Sequence, residues 1–170
     1  MLKKLLGKID FKKINLRRIL LYLLYLFLTM VLQNMVLTHI RPLGVCPFVL
    51  PAAVAAVGMF EGSAWGAVFG LVMGIYADMA YVDTTVGFTL LFPALAFGAG
   101  FVAQFFINRR FIGYMAVAAA ALLITGLMQM LWVLVSDSWS ASMLSTALLQ
   151  TLWSLPLAAL FYFPPARWID

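Results

Sequence analysis

The chain is short of almost everything a soluble domain or an enzyme is built from. Only 10% of its 170 residues are charged, against about 25% in an ordinary soluble domain. It has a single histidine, His39, and a single cysteine, Cys46, so no intrachain disulfide can form and the redox compartment cannot be read from thiols. Nucleophilic catalysis needs a base beside its serine or cysteine. His39 falls in a loop after the first apolar run, and Cys46 reads as a small apolar filler. A catalytic carboxylate pair needs two acids facing each other at depth. Asp78 and Asp83 instead stand at the mouth of one loop, where Asp83 reads as a solvated acid. No His/Cys/Glu grouping has metal-ligand spacing, and no glycine-rich loop joins a strand to a helix. The loops are too short to hold the acids and bases of lipid-linked transfer. No catalytic, cofactor or metal residue is therefore expected, and the chain does not read as an enzyme.

What is abundant is apolar: 65% of the residues are hydrophobic and the mean hydropathy is +1.05. That composition predicts an all-α, polytopic membrane protein with about six transmembrane helices, since a span takes ~20 residues. The expected spans are Ile19–Leu37, a short Phe48–Phe60, Gly62–Asp78, Phe88–Ile107, Phe111–Val135 and Met143–Phe163. Residues 19–163 are then the transmembrane domain, 1–18 a basic N-terminal segment and 164–170 a tail, with no separate soluble domain. Pro51 suits a first turn, where a missing N–H costs little. Pro93 is expected to kink the fourth span, Pro156 lies inside the sixth, and Pro164-Pro165 are expected to end it. Spans two and three are short enough to read instead as a re-entrant hairpin, which leaves the remaining topology unchanged.

Charge sets the orientation. Lys3, Lys4, Lys8, Lys12, Lys13, Arg17 and Arg18 precede the first span, opposed only by Asp10, so the net charge of +5 is no nucleic-acid footprint. Leu2, Leu5, Leu6, Ile9 and Leu16 give this segment an apolar face, which fits a helix lying on an anionic lipid surface. A plain orienting flank is the other reading. No small-residue cleavage site follows, so a cleaved signal peptide is not expected. By the positive-inside rule, six spans place Arg109, Arg110 and Arg167 in the cytoplasm with both termini. Arg41, His39, Asp83 and Asp137 then lie outside.

The third span carries the strongest pattern. In GMFEGSAWGAVFGLVMGIYAD, Gly58, Gly62, Gly66, Gly70 and Gly74 recur every fourth residue, and the next step lands on Asp78. Four-residue spacing lines up one ridge of a helix. A bare ridge lets another backbone approach closely, which is how helices associate in lipid. A carboxylate closing it is a candidate site, because ionisable groups at membrane depth are costly. The remaining candidates are amides: Gln33 and Asn34 late in the first span, Gln129 in the fifth and Gln150 in the sixth. They read either as an outward-facing polar cleft or as separate interhelical hydrogen bonds.

The basic N-terminus, the six short-looped spans and the run GAVFGLVMGIYADMAYVDTTVGFTLL resemble the bacterial rod shape-determining protein MreD family. In that family a glycine-punctuated helix ends in an acid, here Asp78. A short loop and a glycine, here Gly87, open the next span, and a basic turn such as Asn108-Arg109-Arg110 follows it. The closest likeness covers residues 66–110. The family's common Ser-Gly-x-Pro-x-Gly loop stands here as Val82-Asp83-Thr84-Thr85-Val86-Gly87, without the proline. The resemblance implies a non-enzymatic subunit of the cell-wall elongation machinery in the bacterial cytoplasmic membrane. Its implied partners are the single-span protein MreC and, through it, the wall synthases and the actin-like filament. It also implies a fold similar to the substrate-binding subunit of energy-coupling-factor vitamin transporters. That subunit is itself the alternative function, since the polar residues would suit a ligand cleft.

Overall fold

The computed structural model describes residues 16–40, 44–81, 87–105, 110–136 and 141–168, and among them all regular structure is helical. Helix α1 (Leu16–Val31) continues into a π-helical segment, Leu32–Leu37. There follow α2 (Leu50–Glu61), α3 (Ser63–Ala80), α4 (Phe88–Phe105), α5 (Phe111–Ser136) and α6 (Ala141–Ala158). A 3₁₀ turn, Ala159–Tyr162, then leads into the short α7, Phe163–Trp168. Five helical stretches are long and apolar enough to cross a membrane, so the protein is a multi-pass membrane protein. The basic segment before Leu16, the Val82–Val86 loop with Asp83, and Asn108-Arg109 lie outside the described residues.

The second expected span, Phe48–Phe60, is the one that differs. Helix α2 has only 12 residues, ~18 Å of rise, which is too short for a hydrocarbon core of ~30 Å. It is also the most enclosed element, every residue from Leu50 to Phe60 being buried. It packs against α1, α3, α4 and α5 and forms the axis of the bundle. Its alanines and valines, Ala52, Ala53, Ala55, Ala56 and Val57, are fully covered. Having no polar face to place and no lipid to meet, the helix needs small side chains so that four neighbours can reach it.

The glycine pattern is divided between elements. Gly58 belongs to α2, and Gly62 is the turn into α3 with φ +96°, a conformation that suits glycine. The ridge within α3 is therefore Gly66, Gly70 and Gly74, and all three are buried. Val68, Leu71, Val72 and Ile75 stand exposed on the rest of that helix. In lipid this inversion is ordinary, because apolar packing between helices gains little over apolar contact with acyl chains.

Prolines shape the far end. Pro164 and Pro165 do not end the chain's helical course but lie in the first turns of α7. In a continuous helix Pro165 would supply the N–H for the Phe161 carbonyl, and it has none. The hydroxyl of Tyr25, from α1, donates to that carbonyl instead at 3.1 Å. Tyr114 of α5 likewise donates to the Ala158 carbonyl at 2.9 Å, where the helix tightens to 3₁₀.

Candidate functional site

Two polar arrangements hold the bundle together, and the first explains why α2 is short. From Val45 to Val49 the chain is not helical, yet Pro47, Phe48 and Val49 are buried. Non-helical backbone at membrane depth must find its hydrogen bonds within the protein. Gln33 supplies two of them: its Nε2 donates to the Pro47 carbonyl and its Oε1 accepts from the Val49 N–H, both at 2.9 Å. The Phe48 N–H donates to the Ser154 hydroxyl of α6 at 2.9 Å. Ser154 stands thirteen residues into α6, roughly 20 Å along its axis, so the start of α2 lies deep in the bundle. Two donors just before α2 are thereby engaged, and Pro51 in its first turn carries none.

The π-helical segment presents these groups. The Thr38 N–H reaches back five residues to the Gln33 carbonyl at 3.2 Å, the wider turn that defines a π-helix. Gln33 is turned inward and buried, while Asn34 is half-buried beside it. The Asn34 amide donates to the Tyr76 hydroxyl at 2.7 Å and accepts from the Tyr81 hydroxyl at 3.0 Å. Burial raises the Tyr81 hydroxyl above the ordinary tyrosine value, with Tyr76 adding to the rise and Gln33 opposing it. Tyr81 therefore remains a protonated donor at neutral pH.

The second arrangement is the α3–α4 lock. Oδ1 of Asp78 accepts from the Phe88 N–H at 2.8 Å, and Oδ2 accepts from the Thr89 N–H at 2.9 Å and from the Thr89 hydroxyl. The carboxylate thus caps α4, satisfying orphan donors and lying at the positive end of its dipole. Below it the glycines meet backbone rather than side chains. A Cβ on Gly70 would stand 2.7 Å from the Phe92 carbonyl oxygen and 3.0 Å from Pro93 Cα. One on Gly74 would stand 2.7 Å from Thr89 Cα, and Gly66 lies directly against Gly58 of α2. The ridge is filled by α2 and α4 of the same chain. The close helix approach read from the ridge is made inside the fold, against α2 and α4.

Of the two readings of the amides, separate hydrogen bonds describe Gln33 and Asn34. Gln33 and Asn34 are engaged with their own backbone and tyrosines, so they do not line a cleft with Gln129 and Gln150. Gln150 instead lines a shallow groove with Thr151 and Ser154 of α6, Leu122 and Gly126 of α5, and Phe48. Gln129 is half-buried one turn beyond Gly126. Asp78 as a site was open to sequence reasoning, because a lone acid closes the glycine period, although it stands inside α3, ten residues before Phe88, and not at a flanking N-cap position. The use of Gln33 was not, because its partners are backbone atoms of a segment with no pattern of its own. Comparison of the chain with protein-family models, curated proteins and solved structures finds no match.

Proposed function

We propose that this protein is a non-enzymatic membrane subunit of the bacterial cell-wall elongation complex, similar to the MreD family. It sits in the cytoplasmic membrane with both termini inside and scaffolds a single-span MreC-like partner, which links it to the wall synthases and the actin-like filament. One observation supports the reading above others. The residues that carry the resemblance, Gly66, Gly70, Gly74, Asp78 and the head of α4, form one interlocked unit whose polar group is used to hold backbone. Such a unit suits a rigid platform. The vitamin-transporter alternative draws no support from the groove beside Gln150, whose empty space of about 160 Å³ is below the ~300–1,000 Å³ of small-molecule sites.

The test is depletion of the protein in a rod-shaped host, scored by cell width and by co-purification of the MreC-like partner with the tagged wild-type chain. Rounding on depletion together with co-purification is the expected result. Cells that stay rod-shaped but lose uptake of a vitamin would sink the reading in favour of the transporter subunit.

A further inference from the structure

One crossing of the bundle is made partly without a helix. At one end the ring of Phe48 packs against Tyr81, just past the end of α3, and against Phe88, the first residue of α4, with centroids 5.9 and 5.7 Å apart. At the other end the Gly62 turn after α2 lies beside Gln104, the next to last residue of α4. The coil at residues 45–49 and α2 together therefore run the length of α4. A helix seals its own backbone, whereas a coil at membrane depth stays sealed only while its neighbours hold it. Here side chains hold it: Gln33 engages the Pro47 carbonyl and the Val49 N–H, and Ser154 accepts from the Phe48 N–H.

The surroundings of the coil are polar for an interior. Among the described residues the buried polar side chains are Thr29, Gln33, Thr125, Thr151 and Ser154. Two of these hold the coil, and Thr151 lines the α5–α6 groove with Phe48 and Gln150. Phe48 also belongs to the ring cluster of Tyr81, Phe88 and Phe92. One side chain is thus shared by the groove and the cluster, and removing its ring joins their space. The groove admits no water while the ring is in place. Without the ring, Gln33, Gln150, Thr151 and Ser154 would offer an entering water the polar partners it needs. The first turn of α2 rests on its own chain, since the Ala52 and Ala53 N–H groups donate to the Val49 carbonyl. The coil can therefore be loosened without unravelling the helix.

We infer that residues 45–49 are a plug supplied by the chain itself. They occupy a polar vestibule that the surrounding helices would otherwise leave open at this end of the bundle, and Phe48 closes it. The native fold offers a solute no vacancy there, and the vestibule opens when the plug is unfastened. This holds whichever membrane face the coil enters from, so it does not depend on the proposed function.

The experiment is thiol modification in permeabilised membranes, where a charged methanethiosulfonate reaches both faces. Cys46→Ser removes the native thiol, and Thr151→Cys places a reporter beside the plug, ten residues into α6 or ~15 Å along it. Thr151 is 7% exposed and its hydroxyl bonds to its own helix, so the fastenings of the coil stay intact. Ala121→Cys is the comparison position, buried against Ala55 and Ala99. With the plug in place, both thiols should react at least about tenfold more slowly than Cys46 of the native chain. Phe48→Ala or Gln33→Ala should then speed modification at 151 by about tenfold or more and leave 121 protected. A thiol at 151 that reacts as fast as native Cys46 before any unplugging shows an open cleft and overturns the inference. So does a thiol at 151 that stays protected after both replacements. A thiol at 121 that becomes reactive alongside 151 overturns it too, because the coil is then a support of the whole bundle. The first arm needs no unplugged variant, and Gln33→Ala, which keeps the ring, tests the fastening if Phe48→Ala fails to accumulate.

Discussion

Replacing Gly70 by alanine adds one carbon where backbone already stands, and the cost can be isolated by a matched replacement elsewhere. A Cβ at Gly70 would lie 2.7 Å from the Phe92 carbonyl oxygen, 2.9 Å from its carbon and 3.0 Å from Pro93 Cα. None of these is the tip of a flexible side chain. To restore an ordinary separation of 3.4 Å, α4 must move away by about 0.7 Å at that point, loosening its contact with α2 as well. Overpacking of this kind costs ~1–3 kcal/mol. Alanine also gains ~1 kcal/mol over glycine in a helix interior, which would mask part of the loss. Gly98→Ala on α4 removes that ambiguity, because a Cβ there meets nothing within 4 Å. The propensity gain is common to both, so Gly70→Ala should be less stable than Gly98→Ala by ~1–3 kcal/mol. Gly74→Ala should resemble Gly70→Ala, and Gly126→Ala should resemble Gly98→Ala. Alanine is thus not the mild substitution that a small-residue motif alone suggests, and Gly70→Leu should be worse again. Reversible unfolding in mixed micelles, titrated with a denaturing detergent, measures the difference. If Gly70→Ala and Gly98→Ala unfold at the same detergent fraction, the close backbone approach is not what holds α3 to α4.

Three further outcomes are expected. Asp78→Ala removes both acceptors at the head of α4 and should cost ~0.5–2 kcal/mol, as loss of a cap does; Asp78→Asn keeps one acceptor and should cost less in the same titration. Gln33→Leu strands the Pro47 carbonyl and the Val49 N–H, each worth ~1–3 kcal/mol when buried and unmade, and should speed hydrogen exchange at Val49 ahead of the Ala53–Val57 amides. Uniform exchange across α2 in that variant would show that Gln33 is not its cap. Cys46, half-buried with its thiol near the Thr38 carbonyl, should react in intact cells with a membrane-impermeant thiol reagent. Reaction only after permeabilisation would reverse the orientation drawn from the basic residues.

The sequence by itself determined the class of the protein and the course of five of its helices. Long apolar runs in a chain with so few charges leave the backbone no partner but itself, so the spans must be helical and their ends fall near the polar turns. It also marked Gly66, Gly70, Gly74 and Asp78, because a four-residue period and a lone acid are local facts. Only the tertiary structure decided where those features point. Gly58 and Gly62 share the period and fall on the second helix and the turn after it, as the expected spans divide them, but what each glycine packs against is not in the period. The short second span could not be understood from its own residues, because what permits non-helical backbone at that depth is a glutamine fourteen residues earlier and a serine over a hundred residues later. Gln33, Asn34, Gln129 and Gln150 look alike as amides in apolar runs. Among the described residues the first two have hydrogen-bond partners and the last two have none, a distinction that depends on which helices meet and is written in no single one of them.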